Sequence, residues 1–266
     1  MLTNTKHLKG FTIRSADGEM GTVEQFYFDD ETWAIRYLVV ETGGWLGGKQ
    51  VLVSPISIIS IDWADRRLNV ALTMDQVKNS PDIDTQKPVS RQHEAEYFGY
   101  YGYPYYWEGP NLWGPAFSPF GMVKLKTDSA EEVASSLHRA TMDSHLRSTA
   151  AVIGYHMGAV DGEIGHLDGF ILDDDNWSVP YIEVATRNWW PGKKVLISPA
   201  WIESVSWTDS KVYMGLTREA IQTGPEYDES KPITRAYENL LYFHYGRPPY
   251  WISDKEHRAA FTTSGV

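Results

Sequence analysis

Two short acidic runs, Asp29-Asp30-Glu31 and Asp173-Asp174-Asp175, are the residues of this sequence best suited to hold a cation. Each run is followed at the same spacing by a tryptophan, Trp33 or Trp177. Hard cations such as Ca²⁺ prefer carboxylate oxygens presented by a loop, but the spacing of an EF-hand loop is absent. Aspartate is also common in polar turns for backbone reasons alone. We expect polar hairpin turns, with weak Ca²⁺ binding as the alternative, at the first two acids of each run: Asp29, Asp30, Asp173 and Asp174.

Other residues that could carry chemistry form no recognisable catalytic pattern. The chain has eight histidines and no cysteine, so disulfides, thiolate chemistry and Cys-ligated metal sites are excluded. Phosphate loops, nucleophile elbows and His-Glu-x-x-His motifs are absent from the sequence. The carboxylate pairs Asp17/Glu19 and Asp161/Glu163 are each two residues apart on a turn, and do not face each other across a cleft as in glycosidases. We expect no enzyme and no cofactor, and keep a hydrolase using paired carboxylates as a distant alternative.

The sequence repeats itself at an offset of 144 residues without a gap. Between Gly10 and Trp107, 36 of 98 positions are identical to their partners. No histidine has a histidine as its partner, whereas a duplicated catalytic or metal site would be expected to keep one. The chain is therefore a duplication, and its two copies can be compared position by position.

Each copy is predicted to consist mostly of short strands. The apolar runs are short, rich in β-branched and aromatic residues, and bounded by Gly, Pro, Asp or Asn, which is typical of strands in a small barrel or sandwich. Asp17-Gly18 and Asp161-Gly162 predict hairpin turns. The predicted strand segments of the first copy are 22–28, 35–42, 51–53, 56–63 and 68–72.

A helical tail follows the strands of each copy. Thr73 and Gln76 are spaced for a capping box, and a second helix is predicted from about Ser90 to Tyr100, with its partner from Thr234 to about Tyr245. Within these helices Arg91 and Glu94, like Arg235 and Glu238, are three residues apart. We expect surface salt bridges there, each contributing a few tenths of a kcal/mol.

An aromatic segment closes each copy, at residues 100–107 and 244–251. Tyr and Trp supply much of the binding energy at protein interfaces, but the same side chains could fold back and seal their own barrel. We predict that the aromatic residues form an interaction surface, which can coexist with sealing. The candidates are Trp45, Tyr101, Tyr106, Trp107, Trp189, Trp190, Tyr245, Tyr250 and Trp251.

The repeat and the composition predict four regions. Residues 1–107 are the first repeat, 108–150 a linker with one helix, 151–251 the second repeat, and 252–266 a polar tail. The linker helix is predicted within 128–146, where Ser129 and Glu132 are spaced for a capping box.

Charge and hydropathy limit the partners. The formal net charge is −11, which argues against nucleic acid and anionic lipid surfaces, because both require clustered Lys and Arg. No stretch approaches the roughly 20 apolar residues of a membrane span, and the first ten residues lack the apolar core of a signal peptide. We expect a cytoplasmic protein without a membrane span.

Four motifs together resemble the PRC-barrel family, which is named for the cytoplasmic domain of the photosynthetic reaction centre H subunit. They occupy residues 17–21, 29–33, 37–45 and 48–55, and recur in the second copy at 161–165, 173–177, 181–189 and 192–199. The resemblance implies a mainly β fold with α extensions, in which two tandem six-stranded barrels are related by duplication. It also implies interaction or scaffolding roles and a photosynthesis-related family label. The absence of the H subunit's membrane helix argues against a reaction-centre role.

The function expected from these features is a non-catalytic bacterial scaffold or protein-interaction module with an unidentified protein partner. The two repeats are expected to pack on each other, and the chain to be a monomer or weak dimer. The alternative is a protein that binds a small ligand, carbohydrate or cation, using an aromatic cleft at Trp45, Trp189 and Trp190 or the acidic turns.

Overall fold

The computed structural model describes residues 1–81, 89–123, 145–186 and 193–252. Trp189, Trp190 and the predicted capping box at Ser129 and Glu132 lie outside these residues, as does the tail beyond Ile252. The chain divides into two compact units. Unit 1 contains residues 1–154 and 169–181, and unit 2 contains 155–168 and 182–266.

The fold is mainly β, as the sequence predicted. It contains two seven-stranded sheets, whereas the resemblance implied six strands in each repeat. Each sheet contains six strands of one repeat and a seventh short strand from the other repeat. The strands are β1 (Leu2–Asn4), β2 (Thr12–Arg14), β3 (Glu19–Asp29), β4 (Ala34–Glu41), β5 (Gln50–Val53), β6 (Ile58–Asp62) and β7 (Arg67–Val70), followed in the second repeat by β8 (Leu146–Ser148), β9 (His156–Ala159), β10 (Gly162–Asp173), β11 (Tyr181–Ala185), β12 (Lys194–Ile197), β13 (Ile202–Ser206) and β14 (Lys211–Met214).

The two sheets have the same topology. The first follows the order β5-β4-β3-β2-β7-β6, and the second β12-β11-β10-β9-β14-β13. Strands β2 and β9 pair in parallel with β7 and β14, whereas β3 and β5 pair antiparallel with β4, and β11 pairs antiparallel with β12. Equivalent strands thus occupy equivalent places, as expected of a duplicated unit.

The described residues also form short helices. They are α1 (Thr5–Leu8), α2 (Met74–Lys78), α3 (Arg91–Tyr101), α4 (Pro119–Val123), α5 (Thr149–Val152), α6 (Arg218–Thr223) and α7 (Arg235–His244). The predicted capping box of Thr73 and Gln76 is present at the start of α2. Ser90 and Thr234 cap α3 and α7, as their positions suggested. Within the described ranges, no helix is long and apolar enough to span a membrane.

The predicted Asp-Gly turns are present, and their aspartates also hold the helix that follows the strands. Asp17 accepts hydrogen bonds from the Ser15 hydroxyl and from the backbone N–H of Met74, the first residue of α2. These two bonds lower the pKa of Asp17. Asp161 accepts the equivalent bond from the N–H of Arg218 at the start of α6.

The last glycine of each Asp-Gly-Glu-x-Gly motif allows two strands to approach closely. A Cβ atom on Gly21 would lie 2.0 Å from the carbonyl oxygen of Glu41, and one on Gly165 would lie 2.0 Å from that of Ala185. Because no side chain fits in that distance, the motif requires glycine for packing.

A short strand on the N-terminal side of each repeat pairs with the long strand of the other repeat. Strand β8 lies within residues 108–150, the predicted linker, and is counted here with the second repeat because it is equivalent to β1 at the offset of 144. Strand β1 pairs with residues 171–173 of β10, and β8 pairs with residues 27–29 of β3. These positions are equivalent at the offset of 144. Unit 1 therefore contains elements of both repeats.

The hairpin at residues 173–179 is also part of unit 1, where it contacts the equivalent hairpin of the first repeat. The N–H of Ile35 donates to the carbonyl of Trp177, and the N–H of Val179 donates to that of Trp33. Both tryptophans have positive φ angles, of 53° and 61°. The two bonds are reciprocal, because each joins the same pair of sequence positions.

Candidate functional site

The acids of the first turn are occupied by protein groups. Asp29 is buried, and it accepts hydrogen bonds from the backbone N–H groups of Glu31 and Thr32 and from the Arg36 guanidinium at 3.3 Å. Asp30 accepts a 2.7 Å bond from the guanidinium of Arg147. The first run is thus a hydrogen-bonded turn, in keeping with the polar-turn interpretation.

The acids of the second turn lie closer to one another. The carboxylates of Asp173, Asp174 and Asp175 offer oxygens within 4.8 Å of one another. The amino group of Met1 pairs with Asp174 and lies 3.6 Å from Asp173. Burial raises the pKa of Asp173. Cation binding at either turn stays a prediction, since acidic groups of this kind are common without an ion.

Arg36 joins the first turn to the chain that follows the first repeat. Its side chain is 1% exposed. The guanidinium donates to the carbonyl of Leu112 at 2.7 Å and stacks on the rings of Tyr106 and Trp113, at 3.9 and 4.9 Å from their centroids. Such contacts favour Arg over Lys, because the planar group can stack and donate at once.

Glu94 lies at the centre of a buried cluster in the same region. Its side chain is fully buried on α3, and its carboxylate accepts hydrogen bonds from the hydroxyls of Tyr106 at 2.6 Å and Tyr37 at 3.2 Å. The guanidinium of Arg91 lies 3.0 Å from the other carboxylate oxygen. Burial raises the pKa of Glu94 to about 7, although Arg91 and the two hydroxyls act to lower it.

The prediction of a surface salt bridge between Arg91 and Glu94 was wrong. Glu94 is fully buried because the aromatic tail, residues 100–107, folds back over α3, and Arg91 is only 14% exposed. The equivalent Glu238 is also buried, at 3% exposed, while Arg235 is 54% exposed. A three-residue spacing places two side chains on one helical face, but it does not say whether that face meets solvent.

The aromatic residues predicted to form an interaction surface are largely packed within their own repeats. Tyr101, Tyr106 and Tyr245 are buried, while Trp107, Tyr250 and Trp251 are half-buried. Arg91 stacks on Trp107 at 4.6 Å, and Arg235 on Trp251 at 4.1 Å. Trp45 is half-buried and donates to the carbonyl of Met20 at 2.6 Å. A binding role for these side chains stays a prediction.

The second repeat exposes apolar side chains that the sequence analysis did not select. On α7, Phe243 is 87% exposed and Leu240 is 54% exposed, and Ile252 beyond the helix is 52% exposed. At the offset of 144, the first repeat has Glu96, Gly99 and Glu108 in their places. The apolar replacements at these three positions are visible in the sequence and could have indicated an exposed apolar surface. The sequence comparison used the identical positions of the two copies and not their differences.

Unit 2 also contains a charged cluster and a cavity. Lys194 on β12 contacts the carboxylates of Glu183, Asp168 and Glu229 at 2.5, 2.9 and 3.1 Å. Burial would lower the pKa of Lys194, but these three carboxylates raise it. A cavity of about 390 Å³ lies beside the start of α7.

Comparison with known families agrees with the strand pattern of the first repeat. The family model described as the PRC-barrel domain matches residues 5–72, from α1 through the end of β7. Residues 5–72 are a PRC-barrel domain. A comparison with curated proteins gave no match.

The Glu94 cluster and the aromatic tail follow the PRC-barrel domain in the chain. The matched region contains the turn at Asp29 and the strand that carries Tyr37 and Arg36, whereas Glu94 and Tyr106 come after it. The second repeat has the same strand order as the PRC-barrel domain. The bounds of the second repeat are located by the offset of 144 residues, because the family model matches only the first repeat.

Sequence reasoning missed Arg36, Trp113 and the burial of Glu94. An arginine within the apolar run of β4, seven residues after Asp29, was a usable signal, because a buried charge requires a partner. The second copy has His257 at the position equivalent to Trp113. Comparison of the two copies therefore did not identify this tryptophan.

Proposed function

We propose that this chain is a non-catalytic protein-interaction module of the bacterial cytoplasm, and that the exposed face of α7 is its contact surface. The observation that carries the proposal is the exposure of Leu240, Phe243 and Ile252 in the second repeat, at positions where the first repeat is polar or has glycine. Duplication leaves one copy free to change its outer surface while both keep their turns and cores.

Leu240 and Phe243 are adjacent on one helical face, because they are three residues apart. Single exposed apolar residues are normal on proteins. Phe243 is 87% exposed and lies next to an exposed leucine. Such a pair is typical of residues that anchor a partner protein, since aromatic side chains contribute much of the energy of protein association.

The charged residues near this face indicate the charge expected on the partner surface. Arg235 begins α7, pairs with the buried Glu238 at 3.0 Å and is 54% exposed, and the exposed Arg247 follows the end of the helix. Both are positive in a chain whose net charge is −11. The partner expected here is a protein with an apolar patch flanked by acidic side chains, because complementary charge sets the register and rate of association.

The test is a quantitative capture experiment with the full chain as bait. The variant Leu240→Glu/Phe243→Glu removes the apolar face, and Val160→Glu is the matched control, because Val160 is 62% exposed elsewhere in the same unit. A protein retained by the native chain and by Val160→Glu, but lost with the α7 variant, supports the proposal. Equal retention by all three baits rejects the α7 surface.

Light scattering on the same samples separates a foreign partner from self-association. We propose a monomer or weak dimer. A dimer of the native chain that is lost in the α7 variant would make a second copy the partner. A mass of four chains or more at micromolar concentration would contradict the proposal.

A second candidate function is binding of a small ligand in the cavity beside α7. Its volume of about 390 Å³ is within the range of small-molecule sites, and Tyr227 and Tyr237 line it together with Asp228 and Lys231. The predicted aromatic cleft at Trp45 is not part of this cavity. A compound that raises the melting temperature of the native chain, but not of Tyr237→Ala, would favour this function over the first.

A further inference from the structure

The cavity of about 390 Å³ in the second repeat is lined by the segment between α6 and α7 and by the start of α7. Two tyrosines belong to this lining. Tyr227 is 6% exposed, and its backbone N–H donates at 2.8 Å to the carbonyl of Lys194 on β12. Tyr237 is in the first turn of α7, and its hydroxyl donates at 3.5 Å to the carbonyl of Pro225. The sheet thus places one tyrosine and the helix places the other.

The aromatic lining distinguishes the second copy from the first. At the offset of 144, the first copy has Ile83 in place of Tyr227 and His93 in place of Tyr237. Other lining residues are identical in the two copies, namely Asp228, Lys231 and Pro232. This comparison is one of sequence, because residues 82–88 lie outside the described part of the chain. The second copy therefore differs at this place by two aromatic rings.

The cavity has an excess of negative charge. The Asp228 carboxylate pairs with Lys231 at 2.9 Å and accepts a hydrogen bond from the Ser230 hydroxyl, so its charge is compensated. Glu226 adds a second carboxylate, which forms no hydrogen bond or ion pair within 4 Å among the described residues. Burial raises the pKa of Tyr237, and the neighbouring tyrosine and Glu226 add to the rise. The field of Glu226 thus reaches the aromatic lining.

An aromatic lining beside an uncompensated carboxylate favours a cationic organic ligand. The negative faces of aromatic rings attract ammonium groups, and quaternary ammonium ligands are bound in such surroundings. A hard metal ion is not favoured, since it requires several oxygen ligands, and Asp228 is already paired with Lys231. The start of a helix attracts anions, but an anion here would meet two carboxylates, and Thr234 already accepts from the N–H of Tyr237.

We propose that the cavity beside α7 binds a small organic ammonium cation of the kind that choline represents, with the ammonium group against Tyr227 and Tyr237 and near Glu226. A volume of about 390 Å³ is in the range of small-molecule sites. The inference rests on the second candidate function and adds the chemical class of its ligand. The contact surface on α7 does not enter into it.

The experiment is a calorimetric titration of the full chain with two compounds of the same shape. One is choline chloride, and the other is 3,3-dimethyl-1-butanol, in which a carbon atom replaces the charged nitrogen. Sodium chloride keeps the ionic strength equal in both titrations. Choline is expected to bind about tenfold more tightly than the neutral compound, because only choline gains the cation–π and carboxylate contacts.

Four variants locate the site. Glu226→Gln is expected to weaken choline binding about fivefold through loss of the charge. Tyr237→Leu is expected to weaken it about fivefold through loss of the ring, whereas Tyr237→Phe keeps the ring face and should stay within about twofold of the native chain. Glu219→Gln is the matched control, because Glu219 is an exposed acid of the same unit that does not line the cavity. Glu226 is also exposed, so its replacement is expected to leave the fold intact.

Three results would overturn the proposal. One is no binding of choline at millimolar concentration, and another is choline binding that Glu226→Gln and Tyr237→Leu leave unchanged. The third is equal affinity for choline and the neutral compound, lost for both in Tyr237→Leu, which would reject the cation and leave ligand binding in the cavity intact. The cavity function itself fails separately, if no compound raises the melting temperature of the native chain more than that of Tyr237→Ala.

Discussion

Replacing Lys194 by Gln removes the cation from a cluster of three carboxylates in the second repeat. The ammonium group of Lys194 lies 2.5 Å from Glu183, 2.9 Å from Asp168 and 3.1 Å from Glu229. Glu183 is fully buried, while the other two carboxylates are 26% and 38% exposed and retain contact with water. The variant therefore removes the cation that lies against a fully buried carboxylate.

The expected cost is about 3 kcal/mol of unfolding free energy. Removing one partner of a buried ion pair typically costs 3–5 kcal/mol, because an uncompensated charge remains in the interior. The lower end applies here, since Lys194 itself is 28% exposed and water can enter when it is replaced. With a urea dependence of about 2 kcal/mol per molar, the midpoint of unfolding falls by about 1.5 M.

The first repeat supplies the compensating change. Its equivalent residues are Val39 and Gln50, and Val39 is completely buried. The double variant Glu183→Val/Lys194→Gln therefore restores a pair that the fold already accommodates. It is expected to recover about 2 kcal/mol relative to Lys194→Gln, because the buried carboxylate that had lost its cation is replaced by an apolar side chain.

Urea unfolding of the full chain, followed by tryptophan fluorescence, measures both variants. The reasoning fails if Lys194→Gln leaves the midpoint unchanged. It also fails if the double variant is no more stable than the single one, because the loss would then not arise from the buried charge of Glu183.

Three further predictions follow from contacts in the structure. Gly165→Ala places a Cβ atom 2.0 Å from a backbone carbonyl and should lower the melting temperature by about 5 °C or more, whereas Gly44→Ala, with no atom within 4 Å, should have little effect. Arg36→Met removes the partner of buried Asp29 and should cost about 3 kcal/mol in urea unfolding; a loss under about 1 kcal/mol would show that Asp29 does not depend on it. A calorimetric titration with CaCl₂ tests whether Asp173 and Asp174 bind Ca²⁺. If the titration gives no heat and CaCl₂ does not raise the melting temperature, Ca²⁺ binding at this turn is rejected.

Features set by local sequence were predicted well. The capping residues Thr73, Ser90 and Thr234 lie where their side chains satisfy the first N–H groups of a helix, which depends on only a few neighbouring residues. The strand runs were recognisable from their composition and their turns. Comparison of the two copies also identified Glu94 and Tyr106 as retained residues, although not their contact.

Features set by distant contacts were missed. Strands β1 and β8 have three residues each, too few for a periodic pattern, and their partners lie more than a hundred residues away. The burial of Glu94 depends on the return of the aromatic tail over α3, which spacing along one helix cannot reveal. The exposed apolar face of α7 was not predicted, because its residues differ from those of the first copy and the prediction relied on residues that both copies share.

Site-specific photo-crosslinking tests the proposed interaction surface most directly. A photoreactive phenylalanine analogue is placed at Phe243 on α7, and at Val160 as the control, in full-length chains produced in cells of the native host. The account predicts one discrete protein adduct that forms from position 243 and not from position 160. The same adducts from both positions, or none from position 243, would contradict it.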